Sequence, residues 1–176
     1  MLVVGTEPPQ TMKVDSRVLC RSSSVFNRML KGPFLESKSC SHNAWEVKLP
    51  EDDPQALLII MDIVHNQYEH APAEPALDVL CHVLSLVDKY VMGKSLRSIS
   101  YLWLDQERDK DDQPLKDREA CLFVAFELGA VDLFGQIATR LAIECKVDDS
   151  GKLLAADGQS RLIDNEFVNR INIVGK

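Results

Sequence analysis

The segment Gln55 to His65 sets the strongest constraint on this chain. Ala56, Leu57, Leu58, Ile59, Ile60, Met61, Ile63 and Val64 follow one another almost without a polar break. A helix that is apolar nearly all round must be covered by neighbouring elements, because no side of it is left to face water. The preceding Pro50-Glu51-Asp52-Asp53-Pro54 supplies a turn, an acidic cap and a proline at the first helical position. The fold must therefore build a core around a largely buried helix near the middle of its N-terminal half.

The covering elements can be read on either side. Leu2-Val3-Val4 and Met12-Lys13-Val14 are short β-type runs separated by Gly5, Pro8 and Pro9, the pattern of a hairpin with a longer loop. Asp15 or Ser16 can cap a short helix through Arg17 to Cys20. The serines Ser22 to Ser24 can cap a second, whose Val25, Phe26, Met29 and Leu30 form one apolar face ending at Gly32-Pro33. Trp45 to Leu49 alternates apolar and polar residues, as a half-buried strand does. Leu77, Leu80, Leu84, Val87 and Val91 recur at helical spacing on a long helix ending at Gly93, and a shorter helix from Ser95 carries Leu96, Ile99, Leu102 and Trp103. The charge-rich segment Asp105 to Asp117 is the best internal boundary. Beyond it Arg118 to Leu128 and Val131 to Ile143 form a helical pair broken at Gly129, Asp148 to Gly151 is a turn, and Phe167 to Val174 is weakly specified.

Composition narrows the function. A 176-residue chain with 45% hydrophobic and 27% charged residues is long enough for a real core and ordinary for a globular protein. Its formal charge of −7 opposes a polyphosphate backbone, so no direct nucleic-acid partner is expected. The five cysteines are dispersed and odd in number, no signal peptide or membrane span is legible, and an intracellular location follows, cytoplasmic or nuclear.

Catalytic and metal-binding patterns do not assemble. Gly93-Lys94-Ser95 resembles the end of a phosphate-binding loop, but Asp88 occupies the first glycine position and a helix precedes it. Asp148 to Gln159 lacks the ligand ladder of a calcium loop. Cys40-x-His42 and Cys81-His82 fall short of four convergent zinc donors. No catalytic residue, metal ligand or cofactor is assigned, and a binding role is expected in place of an enzymatic one.

The order of elements and three stretches then matter together: "MKVDSRVLCRSSSVFNRMLKGPFLES", "VKLPEDDPQALLIIMDIVH" and "LSLVDKYVMGKSLRS". They resemble a BTB/POZ domain of the variety common in fungal proteins. The resemblance implies an α+β fold, a small sheet of short strands packed with about five helices over residues 1–104. A charged linker at 105–117 and an α-helical C-terminal extension at 118–176 follow, the tail "CLFVAFELGAVDLFGQIATRLAIE" being similar to the helical extension of such proteins.

BTB domains are protein-interaction modules, typically homodimers, and several subclasses bridge substrates to cullin-3 ubiquitin ligases. In those adaptors an apolar-x-Glu motif follows the second short helix, and Phe34-Leu35-Glu36 matches it in type and place. An exposed aromatic can fill a partner's pocket while a carboxylate fixes orientation at the rim. Where repressor members carry a basic residue after the Asp/His position this chain has Ser16, and its first strand has no carboxylate, so corepressor binding is not expected. Because the sequence starts at Met1-Leu2, without the preceding strand exchanged in many family dimers, a smaller dimer through Arg17, Val18 and Cys20 is expected.

Overall fold

Backbone donors left over at helix starts are met here by the side chains the sequence offers. In the computed structural model, which describes residues 1–37, 45–108, 115–155 and 158–171, Asp15 caps helix α1 (Ser16–Ser22) by accepting from Arg17 N at 2.7 Å. Ser23 caps α2 (Ser24–Lys31) by accepting from Phe26 N at 3.0 Å. Asp53 accepts from Ala56 N at 2.7 Å and starts α3 (Pro54–Val64), with Pro54 in the first turn where no N–H is missed.

Three short strands make one sheet in the order β2-β1-β3. Strand β1 (Leu2–Val4) pairs antiparallel with β2 (Gln10–Met12) and parallel with β3 (Val47–Leu49). The register puts Met12 and Val47 on either side of Leu2, and Leu49 beside Val4. All five are buried, whereas Thr11 and Lys48, beside Val3, are exposed, so the period-2 alternation gives the sheet one dry face. The second strand lies earlier than the expected Met12 to Val14, because that register uses Gln10 and leaves Asp15 free to cap α1. The third is confined to Val47–Leu49, with Trp45 outside the ladder. Gly5 leaves β1 with φ +76°, and a Cβ there would come within 2.9 Å of Pro54 Cγ, so glycine permits the close approach.

The chain divides into two compact units. The first comprises Met1–Ala73 and His82–Ile99. Helix α3 supplies much of its core: Ala56, Leu57, Ile59, Ile60, Met61, Ile63 and Val64 are buried, and Leu58 alone of the apolar run faces outward. On α2 the apolar arc is split, Phe26 and Leu30 entering the core while Val25 and Met29 remain half-buried.

Helix α4 (Leu77–Lys89) stops before the expected Gly93, and α5 (Gly93–Arg108) starts there and is the longer of the two. The end of α4 is a left-handed turn: Val91 has φ +53°, its N–H donates to Asp88 O at 3.0 Å, and Met92 N donates to Val87 O at 2.8 Å. These two bonds close the helix in the Schellman pattern, usually reserved for glycine. Val91 is thereby removed from the apolar stripe and is 63% exposed. Leu102 likewise faces outward from α5, while Leu96, Ile99 and Trp103 are buried.

The second unit comprises Glu74–Cys81 and Ser100–Lys176. Within it α6 (Leu115–Glu127) packs on α7 (Val131–Glu144) and on α8 (Glu166–Ile171). Gly129, at φ +68°, closes α6 by the same two-bond pattern, with Ala130 N donating to Ala125 O at 2.8 Å. Leu128, Leu133, Phe134 and Ile137 pack around Ala125 and Ala130. Asn165 joins two elements: its amide donates to Glu119 at 2.7 Å, and its carbonyl oxygen accepts from Phe167 N at 3.0 Å at the start of α8. The segment expected to be weakly specified thus contains a helix. Asp148 organises the turn after α7, where donation from Lys152 N, Ser150 and Arg161 holds its carboxyl down to about 2.

Candidate protein-binding surface

The chain after α2 is held in a shape of its own making. Gly32 N donates to Arg28 O at 2.8 Å and ends the helix. Ser37 Oγ then turns back to the carbonyls of Met29, at 3.1 Å, and Gly32, while Ser37 N donates to Phe34 O at 3.1 Å. The Trp45 indole N–H donates to Glu36 O at 2.8 Å and ties the end of the loop to the approach of β3. Phe34, Leu35 and Glu36 therefore sit on a pinned turn.

Phe34 is 51% exposed. One edge of its ring crosses Gly32, where an added Cβ would lie 2.9 Å from Phe34 Cε2 and 2.5 Å from Arg28 O. Leu35, at the tip, is fully exposed at 102%, and Glu36 is half-buried. With Val25, Arg28 and Met29, Phe34 and Glu36 line a recess of about 270 Å³. That is below the ~300 to 1,000 Å³ usual for small-molecule pockets, and it suits one or two side chains of another protein better than a cofactor.

A Gly32→Ala change is expected to displace the Phe34 ring or open the last turn of α2, since the backbone oxygen at 2.5 Å cannot yield as a side chain can. The expected cost is about 1 to 3 kcal/mol, the usual range for a forced clash. Urea denaturation measures it, and an unchanged midpoint would show that the turn relaxes freely.

The other residues singled out in the sequence lie on α1, which packs against α2 and α3. Arg17 is exposed, Val18 and Cys20 are half-buried, and Leu19, between them, is buried. Cys40 and His42 lie outside the described residues. Cys81 is buried and its thiol lies 3.8 Å from Ala120 O, a packed position. Among the described residues no group of three or more His, Cys, Asp or Glu is placed to hold a metal ion. No helix among them is long and apolar enough to cross a membrane.

Behind the surface lies a polar centre that sequence patterns did not single out. Asp52 is 3% exposed and accepts from Lys89 Nζ at 2.6 Å and from Tyr90 OH at 2.5 Å. Burial first, and then the hydrogen bond and charge of Asp52, push the Tyr90 phenol far above its ordinary range, so it stays a donor. Tyr90 stacks on Phe26 with ring centroids 4.3 Å apart and planes at 14°, and its carbonyl accepts from Ser23 Oγ at 2.6 Å. Through these contacts α2 is anchored at its N-terminus and along its inner face. A sequence signal existed only in part: Asp52 was legible as one acid of a turn, but its partners lie 37 and 38 positions away.

With the three-stranded sheet and α1 to α5 in place, comparison with models of known protein families matches residues 1–105 to the BTB/POZ domain. The chain belongs to the BTB/POZ family. A comparison with curated proteins finds no match. Membership makes the BTB/POZ domain of this chain a protein-interaction module, and its small sheet with surrounding helices is the mixed α+β fold that the family implies.

Proposed function

We propose that this BTB/POZ chain is a non-enzymatic adaptor that binds another protein through α2 and the Phe34 loop, with α1 available for self-association. The observation that carries the reading is a half-exposed Phe34 and a fully exposed Leu35 on a turn fixed by Ser37 and Trp45, beside a small recess that the turn shares with α2. A pinned aromatic loses little freedom on binding, and a few such anchors supply most of the energy of an interface.

Affinity capture with wild type and Phe34→Ala, read by mass spectrometry, tests this. Partners retained by wild type are expected to be lost from the variant, with a drop in affinity of about 2 kcal/mol, roughly thirtyfold in Kd. Equal retention by both proteins would remove Phe34 from the interface.

A narrower reading is a substrate adaptor for a cullin-3 ubiquitin ligase, favoured by Phe34-Leu35-Glu36 in the loop after α2. Calorimetry with the cullin N-terminal region is the direct test, and absence of heat with the wild-type chain would end it. A dimer through Arg17, Val18 and Cys20 belongs to the same proposal, and light scattering measures it. The fungal variety of the domain and the assignment of 118–176 as its helical extension rest on the sequence resemblance, and the linker at 105–117 rests on its charge-rich composition.

A further inference from the structure

The segment that leads through α1 and α2 to the Phe34 recess has a charge opposite to that of the chain. Between Asp15 and Glu36 there is no acidic residue, while Arg17, Arg21, Arg28 and Lys31 are all present, in a chain whose formal charge is −7. All four cations are exposed, on α1 and α2, which pack together. Among the described residues none of the four is in an ion pair; the paired cations there include Lys89, Arg118 and Arg161. Arg28 itself lines the recess, with Glu36 as the carboxylate of the same wall.

We infer that the occupant of this face is an acidic segment of a partner protein, carrying a large apolar side chain that enters the recess beside Phe34 and carboxylates that meet Arg28 and Lys31. The inference rests on the interaction reading above and adds the chemical class of the partner. A recess with apolar walls provides the anchor site, and the surrounding cations provide steering and register. A second copy of the chain fits less well. A two-fold interface centred on the recess would set Arg28 and Lys31 against like charges, and α1 remains the surface proposed for self-association. Nucleic acid fits less well too, since the apolar Val25, Met29, Phe34 and Leu35 contribute nothing to phosphate contacts and the whole chain repels the polyanion.

Selection of a library of random short peptides on the purified full chain tests the idea without a known partner. The enriched peptides are expected to combine an excess of Asp and Glu with a leucine, isoleucine, methionine or aromatic anchor. Their affinity should fall about tenfold or more in an Arg28→Glu/Lys31→Glu variant, and again on raising salt. Both substitutions lie at exposed positions, and circular dichroism checks that the fold is kept. Arg28→Lys/Lys31→Arg keeps both charges and should retain most of the binding, which separates a need for charge from a need for these particular side chains.

Enriched peptides that depend on Phe34 but show no acidic excess would overturn the charge class and leave the interaction surface standing. Absence of any Phe34-dependent peptide would overturn both. Tighter binding of a single-stranded oligonucleotide, or a chain dimer that excludes the peptides from this face, would overturn the inference in favour of those occupants.

Discussion

Truncating Phe26 to alanine is expected to cost about 3 to 5 kcal/mol of stability, the range for removing a fully buried aromatic ring. Phe26 has no exposed surface and lies flat against Tyr90, at 4.3 Å between centroids. The stack adds roughly 0.5 to 1.5 kcal/mol to what burial alone supplies. The urea midpoint should fall with little change in slope. Phe26→Leu keeps most of the volume and should cost less than half as much. The loss would reach the surface, because Val25 and Met29, which line the recess, are Phe26's neighbours on the same short helix. Weakened partner binding at temperatures where the chain is still folded is the expected companion result. A midpoint shift under about 1 kcal/mol would show that the site collapses around the missing ring, and that the stack does not fix α2.

The framework of this domain could be read from local pattern because most of its elements are decided locally. Asp15, Ser23 and Asp53 act as caps with side chains that reach only two or three residues along the chain, so their role survives in sequence. The apolar run in α3 likewise calls for burial, and all of it but Leu58 is buried. Where the pattern misled, the deciding contact was distant or the residue type was atypical. A valine in left-handed conformation is sterically costly, so nothing in "DKYVMG" announced that α4 would end at Lys89. The pattern continued to Gly93, which instead opens α5. The second strand shifted toward Gln10 because register is a property of two strands, and the single run Met12 to Val14 carries no information about its partner.

The surface shows the same division. That Phe34 and Leu35 stand in a loop was plain from Gly32-Pro33 before them, but the side on which the ring lies was not. It is set by Gly32, whose missing Cβ leaves space for the ring edge, and by Ser37 and Trp45, which hold the turn. The charge of the surface was legible in principle, as a run from Ser16 to Leu35 with four cations and no acid. It acquired meaning only when α1 and α2 were seen packed together with their cations in solvent. The buried carboxylate of Asp52 was the least accessible to sequence reasoning, because a proton donor and a cation supplied by the end of α4 make its burial tolerable.

Replacement of Asp52 by alanine is expected to cost about 2 to 3 kcal/mol. The change strands two groups unequally. The Lys89 side chain is about half exposed, at 47%, and its ammonium can turn to water, so little of the cost arises there. The Tyr90 hydroxyl belongs to a residue with 1% exposure and loses its acceptor, and most of the cost arises from that buried, unpaired donor. Tyr90→Phe should therefore rescue part of the damage. It keeps the stack on Phe26, removes the stranded donor, and makes Asp52→Ala cheaper in its background by about 1 kcal/mol or more. The same network predicts a pH dependence of definite sign. The folded phenol holds its proton above the ordinary tyrosine value of about 10, where the unfolded one loses it. Its contribution is complete below that pH and declines as pH rises beyond it. The decline should be shallower in Tyr90→Phe, a comparison that isolates Tyr90 from the rest of the chain. If Asp52→Ala costs the same in both backgrounds and the alkaline profiles superimpose, Asp52 stabilises the fold through its turn alone and the three-residue network contributes nothing.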